Sequence, residues 1–495
     1  MKHVLAIDAG TTGITCLVVS AEGKIVGRGY REITQYFPEP GWVEHDAAEI
    51  FARALAAARD ALAQGAVTPD TIGVTNQRET IVVWNPKTGE PLARAIVWQD
   101  RRTAERCREL SATQASHITS MTGLPVDPYF SATKLELLLS RKEIAAHGDD
   151  VLAGTIDSWL IWKLTDGAVH ATDPTNASRT LLFDIDSRDW SDELCGIFNV
   201  PRAVLPEVRS SSGDFGIASA SHFGRAIPIN GVAGDQQAAL FGQGCTSAGE
   251  GKNTYGTGAF LLLNTGDRRP SPVDGIVATV ACDPKGGYAY ALEGSIFIAG
   301  AAVQWLRDGL GIIENAEVSE PLAKGLSSND GVYFVPALTG LGAPHWNPDA
   351  RGTIVGLTRG TTRAHLARAA LESMAYGTAE VLDAMKERSG FPFDILRVDG
   401  GASVNGWLMQ YQADIIGVPV ERPEIVETTA MGAAGLAGIA SGVWKDAEEF
   451  MSVRRHVRFH PQISDSDRSR LREGWSRAIR TALFWANDTR SMEEH

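Results

Sequence analysis

Cysteine is scarce in this chain, with five among 495 residues. Cys16, Cys107, Cys195, Cys245 and Cys282 are odd in number, widely spaced and free of any C-x-x-C pair. A disulfide framework and a cysteine zinc site are thereby excluded, and buried reduced thiols of a cytoplasmic protein are expected. No basic block is present: 46 Lys and Arg face 60 Asp and Glu, a net charge of −14. Nucleic acid is therefore not an expected partner, since nothing neutralises a phosphate backbone. A nucleotide is not excluded, because a metal ion can offset its charge. The longest apolar run, Ser295 to Leu306, falls well short of the ~20 residues that span a bilayer. The N-terminal Met1-Lys-His3 precedes only a short apolar stretch before Asp8, so no signal peptide is read there. G-x-x-x-x-G-K-[ST] and H-E-x-x-H are both missing, and the histidines lack metal-ligand spacing. Ser131-Ala-Thr-Lys134 matches S-x-x-K without its partner motifs and is set aside as chance.

What remains is the pattern of a large α/β enzyme. The length exceeds one ordinary core and predicts two domains. Val4–Ile7 reads as a strand that runs into Asp8-Ala-Gly-Thr-Thr-Gly13 and returns as Ile14–Val19. Asn253-Thr-Tyr-Gly-Thr-Gly258 feeds the apolar Ala259–Leu263 in the same manner, and Leu396-Arg-Val-Asp-Gly-Gly401 echoes Val232-Ala-Gly-Asp235. Two related halves follow, 1–246 and 247–495, as a duplicated domain rather than a solenoid. Ile50–Ala63 is an alanine-rich helix. Strands are expected at Ile72–Val74 and Thr80–Trp84, and a strand leading into a Trp-rich helix over Ala153–Leu164. His365–Glu387 carries a helical stripe of Leu366, Ala370, Met374, Gly377, Val381 and Met385. Ala430–Ala440 is nearly all small residues, which predicts a helix in backbone contact with its neighbour. Leu471, Trp475, Ile479, Ala482 and Trp485 mark a last amphipathic helix, capped by Ser464 or Asp465.

Two carboxylates on two tight turns, Asp8 and Asp235, stand where backbone N–H groups are exposed. Such a pair suits phosphoryl transfer: one holds magnesium and phosphate, the other orients an attacking hydroxyl. Glycine lets backbone approach a phosphate, and threonine hydroxyls add donors. In the turn Asp399-Gly-Gly-Ala-Ser403, Asn405 lies within reach of an adenosine. Arg78 and Glu79, directly after an apolar strand, offer a donor and an acceptor to vicinal hydroxyls; a surface ion pair is the plainer alternative. Trp98, Tyr129 and Phe260 could pack on a polyol's carbon skeleton, or simply fill core. Together these residues suggest an ATP-dependent kinase of a small polyol.

Several longer runs carry a resemblance: Pro40-Gly-Trp-Val-Glu-His-Asp46, Thr75-Asn-Gln-Arg-Glu-Thr80, Thr172-Asp-Pro-Thr-Asn-Ala-Ser-Arg179, Gly234-Asp-Gln-Gln-Ala-Ala-Leu-Phe-Gly242, Lys252-Asn-Thr-Tyr-Gly-Thr-Gly258, Gly340-Leu-Gly-Ala-Pro344 and Arg397-Val-Asp-Gly-Gly401. With them the chain resembles the FGGY carbohydrate kinases, which share the duplicated RNase H-like fold of actin, Hsp70 and hexokinase, with the active site in the cleft between domains. The resemblance is to members that phosphorylate glycerol. It implies ATP and Mg2+ as cofactors, sn-glycerol 3-phosphate as product, and a homo-oligomer, dimer or tetramer. It further implies Asp235 as general base, with Arg78, Glu79, Tyr129, Asp235 and Gln236 bonding the glycerol hydroxyls. Trp98 and Phe260 would line its apolar side. Thr11, Thr12, Gly13 and Thr257 would meet the nucleotide phosphates, while Gly300, Gln304, Gly401 and Asn405 surround the adenosine. Asp8 would organise Mg2+. Xylulose, gluconate or erythritol is the alternative acceptor, and an actin-like or Hsp70-like ATPase without acceptor the alternative of another class. Two departures stand out. The phosphate-facing arginine common at the end of the first turn is Thr15 here. Ala220–Pro228 lacks the glycine-lysine loop that binds fructose 1,6-bisphosphate, so that control is not expected, and His222 reads as a plain surface histidine.

Overall fold

The computed structural model describes residues 2–271, 275–391 and 393–493. Its first sheet begins with three antiparallel strands, β1 (His3–Ala9), β2 (Gly13–Ser20) and β3 (Ile25–Glu32). Beyond β1 come β4 (Thr71–Asn76) and β5 (Ile227–Gly234), both parallel to it. Val4, Leu5, Ala6 and Ile7 are buried on both faces of β1, which explains their unbroken apolar run. Helix α1 (Ala47–Gly65) owes its alanines to the strand beneath. A Cβ on Gly27 or Gly29 of β3 would stand 2.0 Å from the carbonyl oxygen of Ala61 or Ala57, so helix and strand meet backbone to backbone.

The second sheet repeats this plan. β6 (Gly251–Tyr255) and β7 (Ala259–Gly266) form the hairpin, β8 (Ile276–Cys282) and β9 (Tyr288–Ile296) extend it, and β10 (Leu396–Asp399) and β11 (Val420–Pro423) continue it in parallel. The order is β8-β9-β7-β6-β10-β11, closed by the strand His456–Phe459. Duplication is therefore present in the topology, but one expected correspondence is corrected. β10 sits beside the hairpin, as β4 does, so 396–401 matches 71–78 and not 232–235. The counterpart of β5 is β11. Every parallel strand in such a sheet ends in a tight turn, and local sequence does not say which neighbour it joins.

The helices that follow β5 and β11, α2 (Asp235–Gly242) and α6 (Thr428–Ala440), cross each other. A Cβ on Gly432 would lie 1.8 Å from the Ala238 carbonyl oxygen, and one on Gly242 2.1 Å from that of Thr428. The backbone contact expected of the small-residue helix is present. α6 also lies on the first sheet: a Cβ on Gly73 would meet the Ala433 carbonyl at 2.2 Å. Met431, Ala434 and Leu436 thus close a core with Val4, Ala6, Leu17, Val19 and Ala233.

Further along, α3 (Gly300–Asp308) leaves the second hairpin, α4 (Arg363–Ser389) buries Ala370, Met374, Val381 and Met385, and α5 (Gly406–Ile416) links β10 to β11. The last helix, α7 (Asp465–Glu493), is capped by Ser464, whose Oγ accepts the Asp467 N–H at 3.1 Å. Trp475, Ile479 and Ala482 are buried, but Trp485 is 59% exposed. Its expected core position falls instead to Ala486, four residues beyond Ala482 on the helix. All five cysteines are buried and unpaired. Among the described residues no helix is long and apolar enough to cross a membrane.

Candidate active site

The parallel register places Asp8 beside Thr75 and Asn76 beside Gly234. The turns after β1, β4 and β5 therefore open side by side at the carboxyl ends of their strands, where α/β sheets place their ligands. Asp8 and Asp235 stand at the ends of the two outer strands of this row, near enough for the charge of one to act on the other. Burial, and then the charge of Asp235, push the Asp8 carboxyl up to about 7. Burial pushes Asp235 up to about 6 against the pull of the Arg78 guanidinium. Two neighbouring carboxylates with too little positive charge form a pair that a divalent cation would relieve.

Arg78 is not a surface residue, and neither is Glu79; each is 2% exposed. The Arg78 Nε lies 3.3 Å from Asp235 Oδ1 and 3.4 Å from Glu79 Oε1. Its Nη2 donates to Glu293 Oε1 at 2.9 Å and to the Tyr129 hydroxyl at 3.2 Å. Arg179 completes the group, with Nε on Glu79 Oε1 at 2.7 Å and Nη2 on Glu293 Oε1 at 3.0 Å. Burial works against ionisation of Glu293, but Arg179 and Arg78 prevail and hold it at about 2. Two buried arginines stand between two buried glutamates, with Arg179 Nη1 left without a protein partner. Breaking such a group by removing one member leaves an uncompensated charge.

The aromatic wall stands beside Arg78. Trp98 and Tyr129 meet edge to face, centroids 5.5 Å apart, and the Trp98 indole N–H donates to Thr11 Oγ1 at 2.9 Å. Because Tyr129 accepts from Arg78, its own proton remains for a ligand hydroxyl. Lys134, buried behind the wall, spends its ammonium on three carbonyl oxygens, those of Val97 (2.9 Å), Trp98 (3.2 Å) and Tyr129 (3.2 Å). Burial pushes this lysine down to about 7. Phe260 pairs with Ser295 across β7 and β9 and so shares the face that carries Glu293. Gln236 accepts from Lys252 Nζ at 2.5 Å, a contact that ties α2 to β6.

The nucleotide-side residues gather on a second group of turns. Gly10 N–H donates to Gly13 O at 3.0 Å, closing the first hairpin with Thr12 exposed at its tip. Gly13 packs on Tyr30; a Cβ there would lie 2.5 Å from the tyrosine oxygen. Thr15 stands opposite Asp8 in the hairpin. In the other half the Thr257 carbonyl accepts the Ala299 N–H (2.8 Å) and the Ala301 N–H (3.1 Å), and Gly256 O accepts the Gly300 N–H (3.0 Å). Thus α3 begins against the hairpin tip, with Gln304 exposed one turn later. Gly400 (φ 82°) brings the next turn down on β6, where a Cβ would lie 2.4 Å from the Tyr255 carbonyl. Gly401 follows, and Asn405 caps α5 through Leu408 N–H at 2.9 Å. That cap commits the Asn405 oxygen, leaving its NH2 as the group a base could meet. His222 is no surface histidine: its side chain is 12% exposed, packed edge-on against Phe51 and bonded to the Lys163 carbonyl at 3.2 Å.

Four participants escaped the sequence reading. Arg179 lay in a quoted motif without a role. Glu293 is a lone acid in the apolar strand Tyr288–Ile296, a signal in itself. Lys252 opens a hairpin strand, and Lys134 was the lysine of the discarded S-x-x-K. Among the described residues no cluster of three or more His, Cys, Asp or Glu side chains could hold a metal unaided. A cation on Asp8 would draw its remaining ligands from phosphate and water.

The FGGY carbohydrate-kinase N-terminal domain profile matches residues 3–242, and the C-terminal domain profile residues 251–441. A Rhodopirellula baltica glycerol kinase is 51% identical over 502 residues, covering 100% of this chain and 93% of its own. A Thermotoga maritima glycerol kinase 2 is 51% identical, covering 98% of this chain and 99% of its own. The crystal structure of Plasmodium falciparum glycerol kinase with ADP superposes with a TM-score of 0.92 at 37% identity, over 98% of each chain. Gluconate kinase from Lactobacillus acidophilus shares the fold at 20% identity with a TM-score of 0.87, over 98% of each chain. From the paired turns of the two sheets to these full-length matches, the chain belongs to the FGGY family of carbohydrate kinases.

Proposed function

We propose that this chain transfers the γ-phosphoryl group of ATP to a terminal hydroxyl of glycerol, giving ADP and sn-glycerol 3-phosphate, and that it does so in the cytoplasm. The observation that carries this reading is the junction of Arg78, Tyr129 and Asp235 beside Trp98. It offers donors, acceptors and one apolar wall on the scale of a three-carbon triol. The names of the relatives at 51% identity support it. Asp235 receives the proton of the attacking hydroxyl, and burial, which pushes its carboxyl up to about 6, makes it a stronger base that is still ionised near neutral pH. Arg78 and Tyr129 donate to glycerol oxygens, Glu79 and Gln236 position the remainder, and Phe260 covers the carbon side. Thr11, Thr12, Gly13 and Thr257 present donors to the phosphates from the two hairpin tips. Gly300, Gln304, Gly401 and Asn405 border the base and ribose. Asp8 would hold Mg2+, which would supply charge neutralisation to the phosphates. The five buried thiols agree with a reducing compartment.

The test is coupled ADP release from purified protein across glycerol, erythritol, xylulose and gluconate. Glycerol should give the highest kcat/KM by at least about tenfold, a binding difference of ~1.4 kcal/mol. A higher value for xylulose or gluconate would replace the acceptor, and ATP hydrolysis indifferent to every polyol would replace the class of activity.

A further inference from the structure

The short segment Asp173–Arg179 delivers more than its terminal arginine. Asp173 caps the helix Pro174–Ala177, accepting the N–H groups of Thr175 and Asn176 at 3.0 Å each. The same carboxylate accepts the Thr175 hydroxyl at 2.7 Å and the Ser211 hydroxyl at 2.6 Å. With its proton given to Asp173, the Thr175 oxygen is an acceptor, and the Gly234 N–H donates to it at 2.8 Å. Gly234 is the last residue of β5, and Asp235 follows it directly. One position on, Asn176 and Asn76 exchange side-chain hydrogen bonds at 3.0 and 3.3 Å, which fixes the end of β4 two residues before Arg78. Asp173, Thr175 and Asn176 are fully buried, so solvent and substrate reach none of them.

We propose that Thr175 is a positioning residue for Asp235. Its hydroxyl, oriented by Asp173, locks the Gly234 N–H and with it the direction in which the first turn of α2 presents the carboxylate. This rests on the reading of Asp235 as the base. No side chain at 234 could do the same work, because a Cβ there would stand 2.6 Å from Cγ of Arg78. The strand end is held from outside instead, through a backbone donor. Release of that donor frees the 233–234 peptide and shifts the Gly234 Cα from which Asp235 is built, and ~1 Å of misplacement at a reacting group costs up to about 100-fold in rate.

The experiment compares Thr175→Val, Thr175→Ser and Ser211→Ala with the parent, each as the full chain. Valine keeps the shape and loses the acceptor. Serine keeps the acceptor. Ser211→Ala removes a donor from the same Asp173 carboxylate while leaving the link to Gly234 intact. Thr175→Val is expected to lower kcat for glycerol phosphorylation about 10- to 100-fold with KM for ATP within about twofold. Thr175→Ser restores most of the rate, and Ser211→Ala lowers Tm without this fall in kcat. A parental kcat in Thr175→Val overturns the proposal, as does a loss of kcat that follows Tm equally in Thr175→Val and Ser211→Ala. Should the valine protein not fold, Thr175→Cys, a weak acceptor of similar size, takes its place with the same two outcomes. Asp235→Asn is measured alongside. If it retains turnover, the assignment of the base has failed. If it abolishes turnover while Thr175→Val does not reduce it, only the positioning role has failed.

Discussion

Arg78 and Glu293 join the two halves of the molecule by a two-pronged ion pair, Nη2 to Oε1 at 2.9 Å, between the turn after β4 and the middle of β9. The arginine proposed to meet the acceptor is thus held from the opposite half. Glu293→Gln leaves Arg179 with Glu79 alone and Arg78 with Glu79 and Asp235. It should lower stability by about 3 kcal/mol in denaturant titrations, the scale for breaking a buried pair. Glycerol kcat/KM should fall at least about tenfold. A variant within 0.5 kcal/mol and twofold of the parent, both about the size of measurement error, would remove Glu293 from the account.

Activity should titrate with Asp235. The base works ionised, so kcat/KM for glycerol rises with pH and is lost as pH falls through about 6. A pH–rate profile from pH 5 to 8 at saturating ATP reads this limb. Asp235→Asn should reduce kcat by orders of magnitude at every pH, with ADP affinity by calorimetry nearly unchanged; unchanged turnover sinks the assignment.

Asp8 ties stability to the ligand. Its carboxyl is raised from 3.8 to about 7 in the folded chain, so the folded state binds the proton more tightly than the unfolded. Stability contributed by this group therefore falls as pH rises from about 4 to 7 and is flat above. Without nucleotide, Asp8→Asn should unfold at a higher temperature than the parent, by an amount that grows from pH 5 to about 7 and then levels off. Addition of Mg2+ with ADP should reverse the order, since only the carboxylate profits from the cation. Parallel melting curves at both pH values would contradict the picture.

Lys134 braces the aromatic wall through three carbonyl oxygens. Lys134→Met keeps the stem and takes a charged donor from all three oxygens, of which that of Val97 retains the Asp100 N–H at 3.0 Å, at a cost of about 1–3 kcal/mol. With Trp98 and Tyr129 less firmly held, KM for glycerol should rise about tenfold while KM for ATP stays within twofold. Equal rises in both would point to general loosening instead.

Local features were legible from sequence. The two Gly-Thr hairpins, the small-residue helix and the adjacency of Arg78 and Glu79 all lie within a few residues, where periodicity and turn chemistry speak directly. Burial of Arg78 was not legible, because it depends on Glu293 and Arg179, 215 and 101 positions away along the chain. The place of β10 beside the hairpin escaped for the same reason: strand order is set by non-local pairing. Trp485 misled because a helical stripe continues past the surface that supports it, and α7 carries Phe484 and Trp485 into solvent. Lys134 was dismissed for want of a catalytic partner, when its task is to hold backbone.

The crossing of α2 and α6 has a bearing on biosynthesis. The first sheet cannot complete its core until residues 428–440 have left the ribosome, since Met431, Ala434 and Leu436 come from there. An N-terminal fragment halted near residue 246 should expose an apolar strip and bind chaperones, and vectorial synthesis would hold the nascent half open until the polypeptide is nearly finished.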